Sequence, residues 1–66
     1  MTVAKVFEIS AESKDSFEDA IRQGIARASE TVEDIRGAWV KEQSVVIDKG
    51  KIKVFRVDLK VTFILK

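Results

Sequence analysis

Trp39 is the only tryptophan of this 66-residue chain, and it stands two residues after Gly37 in an alternating run. A second alternating run carries Arg56. At a strand rise of about 3.3 Å per residue, Gly37 and Trp39 share a face and lie about 6.6 Å apart. A glycine there leaves room for a planar ring, and the indole can stack on it. Trp39 also suits a protein interface, where tryptophan is enriched among the residues that dominate binding. Gln43 falls on the same face by strand parity. Arg56 only donates hydrogen bonds. It can reach ring carbonyl oxygens or a phosphate, or pair with a neighbouring subunit's carboxylate, such as Asp58 or Glu42. Glu42 offers the kind of oxygen ligand that calcium and magnesium take. By the ordinary behaviour of these residue types, Trp39 reads first as an interface anchor. Arg56 reads first as half of an ion pair, and Glu42 as solvated surface.

Catalysis finds no support. The chain has no cysteine and no histidine, which removes thiolate metal sites, disulfides and the commonest general base. Its three glycines are scattered, so no phosphate loop exists. The remaining carboxylates, lysines and hydroxyls form no recognised constellation. The expectation is a protein that is not an enzyme.

Sixty-six residues allow one domain to hold these side chains, here taken as 1–66. Such a chain buries only about 60% of the surface its unfolded form exposes. Small scaffolds add disulfides, metals or oligomerisation, and here self-association remains. Twelve basic and eleven acidic residues give a net charge of +1 with both signs interspersed. No basic surplus marks a nucleic-acid binder. "MTVAKVFEIS" lacks the apolar core of a signal peptide, and no segment approaches a membrane span. A cytoplasmic location, with no nucleic acid and no membrane as partner, is the expectation.

The elements follow from periodicity. Thr2 to Ile9 is β-branched and aromatic, a strand, followed by the polar connection "SAESKDS". Ser16 and Asp19 resemble a capping box. Phe17, Ala20, Ile21, Gly24, Ile25, Ala28 and Val32 then form one apolar helical stripe of roughly four turns. Gly24 on that stripe predicts close approach to a sheet. From Ile35 the period becomes two: Ala38 and Val40 point one way, and Gly37, Trp39, Lys41 and Gln43 the other. Asp48, Lys49 and Gly50 make a turn and lack the ligand density of a calcium loop. Phe55, Val57, Leu59, Val61, Phe63 and Leu65 then face the helix, and Val54, Arg56, Asp58, Lys60, Thr62 and Ile64 face away. The fold class is α+β, in the order β-α-β-β. One helix protects one face of the sheet, and the other face carries Trp39, Val45, Ile47, Val54 and Ile64 among charges. That face asks for another subunit.

β-α-β-β in under 70 residues, with "IRGAWVKEQSVVI", a turn and "GKIKVFRVDLKVTFIL", resembles the dodecins over Val3 to Leu65. The resemblance implies a three-stranded antiparallel sheet wrapped around one helix and a homododecameric hollow shell. It also implies non-catalytic storage of a flavin, riboflavin or FMN, stacked between tryptophans of neighbouring protomers and hydrogen-bonded by a glutamine. Aligned without gaps, the family's stacking tryptophan falls on Gly37 and its ring-binding glutamine on Arg56. Glu42 falls where flavin-binding members carry an acid near a channel. Ile35, Arg36, Ala38, Val40, Glu42 and Gln43 look more like the branch that includes calcium-associated dodecins. Flavin storage using Gly37, Trp39, Gln43 and Arg56 is therefore the first expectation. A colourless shell binding calcium or magnesium at Glu42 is the alternative, and a monomeric or dimeric nucleic-acid module is a third.

Overall fold

The computed structural model describes residues 2–65. Its elements are β1 (Ala4–Ser13), α1 (Phe17–Ser29), β2 (Ile35–Asp48) and β3 (Lys51–Ile64). The three strands form one antiparallel sheet in the order β1-β3-β2, so the expected β-α-β-β arrangement is present.

Helix α1 crosses β1 and β3. Ala20, Val57, Leu59 and Val61 are fully buried between the layers, with Phe7, Ile9, Ala11, Phe17, Ile21 and Ile25 packed around them. Two edge-to-face aromatic pairs, Phe17–Phe55 at 5.1 Å and Phe7–Phe63 at 5.6 Å, bracket this core. Gly24 sits where the helix is closest to the sheet. A Cβ there would lie 3.0 Å from the Ala11 Cβ. The side chains of Ala11 and Ile9 fill the space that the glycine leaves, as its place on the stripe predicts.

Several boundaries differ from expectation. β1 runs on to Ser13 rather than ending at Ile9, because the alternation continues through the polar letters. Ala11 points to the helix, and Ser13 is buried with its hydroxyl donated to Asp19 Oδ2 at 2.6 Å. That hydroxyl also accepts the Asp15 N–H at 2.9 Å, so it turns the chain toward the helix. Ser16 caps α1 by accepting the Asp19 N–H at 2.9 Å. The reciprocal half of the capping box is replaced. The Ser16 N–H turns to Ser13 Oγ, and the Asp19 carboxylate is taken by Ser13 and Gln23. The helix ends at Ser29, so Val32 follows it, its N–H bonded to Ala28 O at 3.0 Å. Leu65 lies beyond β3 and is half exposed, outside the core face assigned to it.

The β2–β3 turn places both Lys49 (φ 52°) and Gly50 (φ 75°) in the left-handed region. Two such central residues match the twist of a two-residue hairpin.

The largest difference lies along β2. Its pairing with β3 shifts between Ile35 and Gly37, between Val40 and Glu42, and between Val46 and Ile47. Each of the first two shifts places an extra β2 residue, Arg36 and then Lys41, against β3. An extra residue breaks strict alternation, so parity beyond it is inverted. Trp39 lies opposite Lys60, which faces away from the helix, whereas Gln43 lies opposite the buried Val57. Cross-strand partners share a face. Gln43 is thus on the helix side, not beside Trp39. Val45, opposite Phe55, joins it there, and Val46, opposite Val54, takes the outer face.

The protomer is elongated, 51 × 20 × 13 Å, with a radius of gyration of 13.6 Å. A compact domain of this length has about 11 Å. It exposes 4996 Å², whereas a compact monomer of this mass exposes about 4,200 Å². β2 accounts for much of the difference, because no residue along its whole length is fully buried.

Candidate functional site

On the sheet face away from α1, side chains stack in rungs across β1, β3 and β2. Successive rungs are Val6–Thr62–Gly37, Glu8–Lys60–Trp39, Ser10–Asp58–Glu42 and Glu12–Arg56–Ser44. Four of the five proposed site residues, Gly37, Trp39, Glu42 and Arg56, therefore share this face. Gln43 does not.

Trp39 is 50% exposed. The Lys60 ammonium stands 5.8 Å from the ring centroid, within cation–π range. The same ammonium lies 3.9 Å from Glu8 Oε1, and Lys41 Nζ approaches that oxygen at 3.3 Å. The extra residue Lys41 thus turns outward alongside Glu42. Gly37 borders Thr62, whose hydroxyl donates to Gly37 O at 3.1 Å. A Cβ at Gly37 would stand 3.3 Å from that hydroxyl oxygen. The Thr62 side chain thus packs against the space that the glycine leaves.

Arg56 is committed within its own chain. Its guanidinium grips Glu12 of β1, with Nε 2.6 Å from Oε2 and a second contact from the same group. A partner on a neighbouring subunit is thus not needed to neutralise it. Sequence reasoning missed Glu12 because it lay in a stretch read as connection. Trp39 and Arg56 also do not converge. Lys60, opposite Trp39, is four residues from Arg56 along β3, about 13 Å.

Between those two rungs lies one that sequence reasoning did not single out as a pair. Glu42 and Asp58 are directly opposite one another. Among the described residues neither makes an ion pair or a side-chain hydrogen bond. Like charges set opposite one another on a sheet are destabilising unless something neutralises them. Ser10 completes the rung with a hydroxyl. Among the described residues no cluster of three or more acids, cysteines or histidines is preassembled. A cation at this rung would therefore need further oxygens from solvent or another copy. Among the described residues no helix is long and apolar enough to cross a membrane.

Comparison with known proteins fits this geometry. The family model described as Dodecin matches residues 3–66. Calcium dodecin of Mycobacterium tuberculosis is 38% identical over 63 residues, covering 96% of this chain and 89% of that protein. The crystal structure of that species' calcium dodecin, described as having a novel calcium-binding site, superposes with a TM-score of 0.84 at 40% identity, covering 97% and 91% of the two chains. An arginine-to-alanine variant of Thermus thermophilus dodecin gives a TM-score of 0.94 at 32% identity, covering 100% and 98%. Dodecin from Streptomyces davaonensis gives 0.94 at 32%, covering 98% and 96%. Sequence pattern, sheet order and matched length agree from one end of the described chain to the other, and this chain belongs to the dodecin family.

Proposed function

We propose that the protein is a non-catalytic, self-assembling binding protein. It closes into a homododecameric shell and holds a divalent cation, calcium or magnesium, at the Ser10–Asp58–Glu42 rung. The observation that carries this reading is the cross-strand pair Glu42–Asp58. Two carboxylates face one another without a cationic partner among the described residues, on the sheet face away from α1. The similarity to calcium dodecin supports it. Calorimetric titration of chelator-treated protein with calcium tests it. Saturable binding that Glu42→Gln and Asp58→Asn each abolish, in variants of unchanged mass, is the expected result. A flat titration of the assembled protein overturns it.

A second reading, storage of riboflavin or FMN, is favoured by Trp39. Its half-exposed indole shares a face with Gly37, which places no side chain of its own beside the ring. Binding there would displace Lys60 from the indole and leave its ammonium free for an anionic group. Arg56 is tied to Glu12, and Gln43 is on the other face. Neither supports the ring within the same protomer. Quenching of flavin emission that is lost in Trp39→Ala supports this reading, and unchanged emission at micromolar protein excludes it.

A further inference from the structure

The Trp39 rung and the Glu42–Asp58 rung are neighbours on one sheet face, two residues apart along β3 and so separated by about 6.6 Å. They belong to a charged patch of three successive rungs. Glu8, Lys60 and Lys41 surround the indole, Glu42 and Asp58 follow, and Glu12 with Arg56 closes the set. The rungs on either side, Val6–Thr62–Gly37 and Val54–Val46, carry no charge. Lys41, Lys60 and Arg56 therefore stand against Glu8, Glu12, Glu42 and Asp58, which leaves the patch with a net charge of −1.

The two ammoniums beside the indole do not by themselves make an anion receptor. Both approach the same Glu8 oxygen, Lys41 at 3.3 Å and Lys60 at 3.9 Å. Glu42 and Asp58 also lie within a Debye length of them, about 10 Å at 0.1 M salt. An anion approaching the half-exposed Trp39 thus meets a field in which carboxylates outnumber cations. One divalent cation on the neighbouring rung reverses that balance.

We propose that a divalent cation at the Ser10–Asp58–Glu42 rung switches Trp39 and its two lysines into a receptor for planar anions. The ring of such a ligand stacks on the indole, and its carboxylate or phosphate meets Lys41 and Lys60. This rests on the cation reading and names what the bound cation regulates. A neutral ring gains nothing from the switch, because the cation acts on the neighbouring rung through its charge alone. Coulomb's law sets the size. Two added charges at about 7 Å in water, screened by salt, raise the local concentration of a monovalent anion about threefold.

Trp39 is the only tryptophan and the chain has no tyrosine, so its emission reads this field directly. Iodide, caesium and acrylamide serve as anionic, cationic and neutral quenchers of the assembled protein. Each is applied at a constant ionic strength of about 0.1 M, with chelator and then with saturating calcium. Calcium is expected to raise the iodide quenching constant about threefold, to lower the caesium constant by a similar factor and to leave acrylamide unchanged. Asp58→Asn, in a protein of unchanged mass, is expected to remove the calcium effect. Equilibrium dialysis with anthracene-9-carboxylate and with its neutral alcohol extends the test to a ligand. Calcium is expected to tighten the acid about threefold and not the alcohol. Saturable calcium binding with unchanged iodide quenching overturns the switch and leaves the cation site standing. So does an equal calcium effect on acid and alcohol, or no binding of the acid by the loaded protein. Emission that acrylamide does not quench overturns it too, since the ring is then closed to any ligand. A flat calcium titration overturns both readings.

Discussion

Gly24 tests whether helix propensity or packing governs this fold. On propensity alone, Gly24→Ala should stabilise α1 by up to about 1 kcal/mol. The structure opposes it. The new methyl would meet the Ala11 Cβ at 3.0 Å, Ile9 Cδ1 at 3.4 Å and Leu59 Cδ1 at 3.7 Å. Ile9 and Leu59 can rotate, but the Ala11 methyl is fixed to the β1 backbone. Relief requires the helix to lift from the sheet or β1 to shift on β3. Overpacking of this kind costs about 1–3 kcal/mol, so a net loss of about 1 kcal/mol is expected. In a domain of this size that lowers Tm by about 4–8 °C. Thermal unfolding followed by circular dichroism reads it, at one fixed protomer concentration because assembly makes Tm concentration-dependent. The same substitution in an Ala11→Gly background isolates the cause. With the opposing methyl gone, Gly24→Ala should raise Tm relative to Ala11→Gly, and the two sites should couple by about 1 kcal/mol or more. A higher Tm for Gly24→Ala in the otherwise unaltered chain would refute the packing argument.

Ser16→Ala removes the acceptor of the Asp19 N–H and should cost about 1 kcal/mol in urea unfolding, with Ser16→Asp retaining most of it. Leu59→Ala empties the centre of a core with few fully buried residues. At about 2–5 kcal/mol, against a total of about 3–10 kcal/mol for a chain this long, it should be the most destabilising of these changes and lower the urea midpoint steeply. Arg56→Ala breaks an ion pair whose side chains are 46% and 47% exposed. Its cost should stay below about 1 kcal/mol and shrink further in high salt. Trp39→Ala should leave far-ultraviolet circular dichroism unchanged while reducing the assembled mass measured by light scattering.

The helix and β3 were legible because a single period holds along each. The stripe from Phe17 to Ala28 and the alternation from Phe55 to Phe63 each meet one continuous partner, so periodicity translates directly into burial. β2 was not legible in the same way. It is an edge strand that α1 does not cover, and composition does not mark where it bulges. Lys41 is as compatible with an ordinary strand position as with an extra residue. Counting by twos across it put Gln43 beside Trp39, and pairing with Val57 puts it through the sheet. The Glu42–Asp58 rung was hidden for the same reason, since its register depends on that bulge. Ser13 was hidden by its chemistry. A buried serine inside a polar run reads as loop until its hydrogen bonds to Asp15 and Asp19 are known.

The bulge at Lys41 also bears on how binding and stability are linked. Without it, Glu42 would face the helix side and Gln43 would lie beside Trp39, leaving Asp58 without an acidic neighbour. With it, two carboxylates meet on the face opposite the helix, with no ion-pair partner among the described residues. The same strand supplies the exposed surface that makes a lone protomer unfavourable. Deleting Lys41 should restore simple alternation while leaving Glu42 opposite Asp58, so calcium binding should survive in chains that still assemble. Binding lost on the deletion in an assembled protein would show that the bulge itself, and not the carboxylate pair alone, shapes the site. Binding that survives the deletion and is then removed by Asp58→Asn would tie the ion to the pair.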